Sequence, residues 1–183
     1  MSVTIKSATL KGGMFLSYKY VANINNAINT TGTASDAVVH EDLKQAFRNL
    51  IPFFAHISEE IIDEDLVRSA IEDPEEHLVR SEDEDDTKPF LKYRVDSFSM
   101  GAKKDGECVV ISGTKYLNSG DAIGWETPLI KFDGDYKFSN QLYDAITLLR
   151  SEVFEYSQGK QAAVSDGIAG LWDEDGQEEE DDI

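Results

Sequence analysis

The sequence holds one cysteine (Cys108), four prolines and three histidines. A single cysteine excludes an intrachain disulfide and a multi-cysteine zinc site. No apolar run approaches the roughly 20 residues of a membrane span, and the N-terminus lacks the charged-then-apolar layout of a secretion signal. Cations are scarce as well: 17 Lys and Arg stand against 36 Asp and Glu, a net charge of −19 over 183 residues. These absences predict a soluble intracellular protein with no membrane partner. Hydrophobic residues make up 40% of the chain and aromatics 10%, enough for one core without staples.

The charge is unevenly placed. Residues 59–86 carry 14 acids and two bases, Arg68 and Arg80, and residues 166–183 carry nine acids and no base. The remainder holds 13 acids and 15 bases. A near-neutral body therefore bears two acidic attachments. The tail reads Trp172-Asp173-Glu174-Asp175-Gly176-Gln177, then Glu178-Glu179-Glu180-Asp181-Asp182-Ile183. Such a run repels itself and offers little to bury, which predicts disorder. The expected organisation is one domain over 1–165, with an acidic helix or loop at 59–86 and a disordered tail at 166–183. The inner run from Glu82 to Asp86 reads as a solvated loop.

Residues 3–10 and 14–21 are β-prone and flank Gly12-Gly13, which predicts a hairpin. Residues 22–35 are rich in Asn, Thr and Gly and read as a loop. Leu43, Phe47, Leu50 and Phe54 then share one helical face, with Ser35 or Asp36 as a cap and a kink or a split at Pro52 near Ile51. A shorter helix is predicted over about 58–71, ending before Pro74. Residues 88–100, 108–112 and 122–132 read as strands, with Pro128 placing the last at an edge or ending it early. The final helix has Ser139 as its N-cap, a stripe of Leu142, Ile146, Leu149, Val153 and Tyr156, and Gly159 as its stop. The order β-β-α-(α)-β-β-β-α predicts an α+β fold, an antiparallel sheet of about five strands with two to three helices packed on it. No internal repeat is visible.

Catalytic vocabulary is thin. His56 with Glu59 or Glu60 has the beginnings of ligand spacing, but HExxH is absent, so the histidines read as surface residues beside an acidic stretch. The carboxylate runs lack the glycine and alternation of a calcium loop. Gly113-Thr114-Lys115 lacks the full phosphate-loop spacing. Cys108, in an apolar strand pattern, reads as buried and structural. Neither an enzyme nor a cofactor is predicted.

The segment at 88–100 carries more. In one continuous strand its even positions, Lys88, Phe90, Lys92, Arg94 and Phe98 among them, point to one face. Rings and cations on one surface are the ingredients of a single-strand nucleic-acid platform. Tyr18, Lys19 and Tyr20 of the hairpin, with Lys103 and Lys104, extend it. The plain alternative is an ordinary polar sheet face.

The tail from Asp173 to Ile183 resembles that of bacterial and phage single-stranded-DNA-binding proteins. In those families an acidic tip docks on replication and repair partners and competes with DNA for the protein's own surface, since a flexible polyanion imitates a nucleic-acid backbone. Val110-Ile111-Ser112-Gly113-Thr114-Lys115-Tyr116-Leu117, Glu126-Thr127-Pro128-Leu129-Ile130 and the final helix through Gly159-Lys160 resemble uncharacterised phage and prophage proteins over about 107–160. Together the resemblances imply a phage-type accessory protein of DNA replication or recombination in the cytoplasm of a bacterial host. It would bind single-stranded DNA on the sheet face. Trp172, Asp173, Glu174, Asp175, Glu178, Glu179, Glu180, Asp181, Asp182 and Ile183 would dock partner proteins. The alternative is an acidic DNA mimic, an inhibitor or adaptor that occupies a basic nucleic-acid-binding site on another protein. Ordered helices over 59–86 favour mimicry; a loop there favours the first reading.

Overall fold

The computed structural model describes residues 2–24, 27–81, 87–103 and 106–162. The first three strands are β1 (Ser2–Lys11), β2 (Phe15–Ile24) and β3 (Ala27–Val38). Four helices follow: α1 (Glu41–Arg48), α2 (Ile51–Ile57), α3 (Glu64–Glu72) and α4 (Pro74–Leu78). A 3-10 turn at Pro89–Lys92 leads into β4 (Tyr93–Lys103), β5 (Gly106–Tyr116), β6 (Ala122–Glu126) and β7 (Ile130–Lys131), and α5 (Ser139–Ser157) closes the described chain. Among the described residues the strands form one antiparallel seven-stranded sheet in the order β3-β2-β1-β4-β5-β6, with β7 also on β5. The fold is α+β as expected, and no described helix is long and apolar enough to cross a membrane.

The β1–β2 hairpin turns at Gly12 and Gly13, with φ of +58° and +71°. Positive φ at both central positions matches the twist of paired strands, and glycine adopts it without strain. The stretch expected as a loop is instead the edge strand β3, paired with β2 from Ile24↔Ala27 to Phe15↔Val38. Its Asn, Thr and Gly content resembles turn composition, but threonine also suits a strand, and an edge needs no apolar alternation. The same strand removes Ser35 and Asp36 as helix caps. His40 caps α1 instead, its Nδ1 accepting from the Asp42 amide at 3.3 Å. The helix does split where Pro52 predicts, between Arg48 and Ile51. Asp63 caps α3 by accepting from the amides of Asp65 and Leu66. Phe138, not Ser139, is the N-cap of α5.

All the described helices lie on one side of the sheet. Ile5, Ala8, Leu10, Leu16 and Tyr18 of the hairpin, with Val95, Phe98, Val109 and Ile111, face α1, α2 and α5 in a single core. The α5 stripe Leu142, Ile146, Leu149, Val153 and Tyr156 is buried as predicted. Each such side chain contributes about 1.5–3 kcal/mol of burial. Beyond α5, Lys160 pairs with Asp42, Glu152 and Glu155 at 2.8–2.9 Å, tying the chain back to the start of α1. His56 is half-buried rather than on the surface. Its ring packs edge-on to Phe138, and its Nδ1 is 3.2 Å from the Tyr136 hydroxyl.

β1 and β4, the two central strands, each carry a bulge, between Ile5 and Ser7 and between Val95 and Ser97. Their pairing, Ser7↔Ser99, Ala8↔Phe98 and Thr9↔Ser97, is symmetric if Ser7 matches Ser97 and Thr9 matches Ser99. The match extends outward, Tyr18 of β2 to Ile111 of β5 and Lys19 to Ser112. The four strands around the seam are therefore related by an approximate twofold symmetry that the residue types do not reveal.

Gly113 sits where Phe54 of α2 presses on β5. A Cβ there would meet the Arg94 carbonyl at 2.4 Å and the Phe54 ring at 2.9 Å. That ring also stacks on Trp125 at 4.9 Å, whose Nε1 donates to Ser58, so it has little freedom to yield. Gly113→Ala should cost about 2–3 kcal/mol by overpacking and lower Tm by roughly 4–10 °C; thermal unfolding checks this. Burial, then the Lys137 charge, holds the His56 imidazole below its ordinary pKa. The unfolded chain therefore takes up this proton first, so His56 contributes stability above about pH 6.5 that is lost on acidification. Urea midpoints at pH 7.5 and 5.5 should fall more in the native protein than in His56→Asn.

Candidate functional site on the open sheet face

The side of the sheet away from the helices carries the alternate residues of each strand. Ser7 and Thr9 of β1, Ser17 and Lys19 of β2, Ser97 and Ser99 of β4, and Val110 and Ser112 of β5 surround a trough of about 380 Å³, with Glu126 of β6 at one side. The trough lies over the β1–β4 seam, so its Ser7 and Thr9 wall repeats as Ser97 and Ser99. The two bulges create this lining. Each adds one residue and reverses which parity faces the core: Val3 and Ile5 before the bulge, but Ala8 and Leu10 after it, turn toward the helices.

Hydroxyls are both donors and acceptors, and their short side chains let a ligand approach the sheet closely. Lys19 is exposed on this face. Toward the β6 side, the Arg94 guanidinium lies over the Tyr116 ring, 5.5 Å from its centroid, and Arg94 Nε donates to Asp96 at 2.5 Å. Thr114 donates to the second Asp96 oxygen at 2.9 Å, and Ser112 donates to Glu126 at 3.2 Å. The three histidines all lie in the helical layer, as the cap of α1 and within α2 and α4. The trough serines thus lack an imidazole of the kind that activates a hydroxyl nucleophile. Among the described residues no three His, Cys, Asp or Glu side chains gather as a metal site would require.

The aromatic platform expected over 88–100 is not built. Pro89 starts a 3-10 turn, so Lys88, Phe90 and Lys92 precede the strand. The β4 bulge then turns Arg94 and Phe98 to opposite faces. Phe90 and Phe98 are buried in the core, as is Tyr18, which meets Tyr156 edge-on, and Tyr20 stacks beside Tyr18 on the helix side. Lys88 reaches back toward the Val79 carbonyl, and Lys92 is exposed on the turn. Of the ten residues, Lys19 and Arg94 share the open face. Lys103 ends β4; Lys104, and the tail residues from Trp172 to Ile183, lie outside the described residues. Sequence reasoning missed the trough hydroxyls and Tyr116. Their signal was legible as Ser7 and Thr9, Ser97 and Ser99, and Ser112 and Thr114, each pair two residues apart.

The acidic segment is ordered over its described part, 59–81. Glu64, Asp65 and Glu72 project from α3, and Glu75 and Glu76 from α4, all exposed. Because α3 packs on α2 and α4, and α2 on β4 and β5, these carboxylates belong to the helical layer, behind the trough. No protein family, curated protein or solved structure matches the chain.

Proposed function

We propose that the protein binds single-stranded nucleic acid across the open sheet face, gripping the sugar-phosphate backbone with hydroxyls and cations. The hydroxyl-lined trough with Lys19 on its wall is the observation that carries this reading. Serine and threonine hydroxyls are common partners of phosphate oxygens and sugars. Tyr116, half exposed under Arg94, offers a ring for an unstacked base, which a duplex cannot supply. The dense carboxylates stand on the other side of the sheet, so they do not line the path of a polyanion. In this reading the protein is an accessory factor of DNA replication or recombination. Its acidic tail, Asp173 to Ile183, competes for the same face and docks partners.

A second reading starts from the helical side. Ordered carboxylates on α3 and α4 favour an acidic surface that occupies a basic, nucleic-acid-binding site on another protein.

Anisotropy of a labelled oligonucleotide tests the first reading. Phosphate contacts from Lys19 and Arg94 imply a shallow salt dependence, with a slope of log K against log salt near −1.4 for a single strand. Lys19→Glu should weaken binding by about tenfold or more, and truncation to 1–165 should tighten it. Absence of binding at micromolar protein and low salt, or a duplex bound as tightly as a single strand, defeats the proposal.

A further inference from the structure

The helical layer contains a groove distinct from the trough. Its floor and walls are Phe53 of α2, Ile71 and Pro74 of α3 and α4, and Ala145 and Leu148 of α5, enclosing about 290 Å³. Gln141, Asp144, Ala145 and Leu148 present one helical face to it, at spacings of three, four and seven residues. Leu148 is 49% exposed although the opposite stripe of α5 is buried.

The helices that line the groove carry unpaired negative charge at, or next in sequence to, its lining residues. Asp144 lines it, Glu72 follows Ile71, and Glu75 and Glu76 follow Pro74. None of these four takes part in an ion pair among the described residues, whereas Asp42, Glu60 and Glu64 do. Of the cations close in sequence to these carboxylates, Arg68 pairs with Asp65, Lys137 with Glu64 and Arg150 with Glu107. An apolar floor inside an acidic rim selects a ligand that is apolar on one side and basic at its margins. The protein's own acidic tail is repelled by such a rim, and the strongly charged helices α3 and α4 of a second copy would meet it with like charge.

We propose that this groove docks a short amphipathic, basic helix from a partner protein, with aliphatic side chains seated against Phe53, Ile71 and Leu148 and Lys or Arg facing the carboxylates. The inference shares the acidic surface of the second reading above and adds an apolar anchor that nucleic-acid mimicry does not need. Because the groove and the trough lie on opposite sides of the sheet, a docked peptide leaves the open face free.

Two fluorescein-labelled synthetic peptides test it with the full-length protein. Both carry the same number of lysines; one has leucines at helical i, i+3, i+4 and i+7 positions, and in the other those leucines are serines. The leucine peptide should bind at least about tenfold more tightly than its serine counterpart. Leu148→Asp, at a half-exposed site, adds one negative charge. A purely electrostatic contact would hold or tighten, whereas groove docking should weaken at least about tenfold, with the urea midpoint retained as the check of folding. A folding failure is bypassed by Leu148→Ser, which should show the same direction of change. Equal binding of the two peptides, no weakening in the Leu148 variants, or no binding of the leucine peptide at about 100 μM protein overturns the proposal. Mimicry alone would survive the first two of these outcomes, so the two readings separate.

Discussion

The pairing of β1 with β4 holds the rest of the structure in place. It joins strands about ninety residues apart in the chain through Ser7↔Ser99, Ala8↔Phe98 and Thr9↔Ser97. Closing so long a loop is entropically unfavourable. The contact survives because the helix-facing member of the seam is Phe98 beside Ala8, both buried beneath the helical layer. The small alanine opposite the large ring fills the space without crowding. β2 and β5 then extend outward from this seam in matching register.

The seam also divides the molecule chemically. A bulge in each central strand turns hydroxyls outward and apolar side chains inward over the same few residues. One face becomes a core wall and the other a polar trough. The charge follows the same division. Glu60 pairs with Lys115 and Glu64 with Lys137 on the helix side, and the unpaired carboxylates of α3 and α4 project from that layer. The net charge of −19 therefore misdescribes the open face. There Lys19 and Arg94 stand against Asp96 and Glu126, and Asp96 is already occupied by Arg94 and Thr114.

Separation by a sheet keeps the two proposed recognition chemistries from interfering with each other. Hydroxyls and scattered cations suit a polyanionic backbone. An apolar groove rimmed by carboxylates suits a basic peptide. Opposed preferences of this kind on one continuous surface would cancel, because each ligand would meet charge of its own sign. On opposite sides of the sheet they can act together, and the proposed roles describe an adaptor between a nucleic acid and a protein.

Composition and periodicity were enough to specify the fold class, the β1–β2 hairpin, the split at Pro52 and every buried residue of the α5 stripe. These are local properties: a glycine pair that accepts positive φ, a proline without an amide hydrogen, apolar residues repeating along one helix. Two placements lay beyond them. β3 is a strand because β2 offers it a partner, and its own Thr, Asn and Gly content is equally at home in a turn. The face on which each β4 side chain stands depends on a bulge at Val95–Ser97, and a bulge is set by the register between two strands. One inserted residue there sends Phe98 into the core and leaves Arg94 outside, which dismantles the aromatic platform and exposes the serines in its place. Residue types alone determined which segments bury and which carry charge; which side of the sheet each functional group occupies was decided only when distant strands paired.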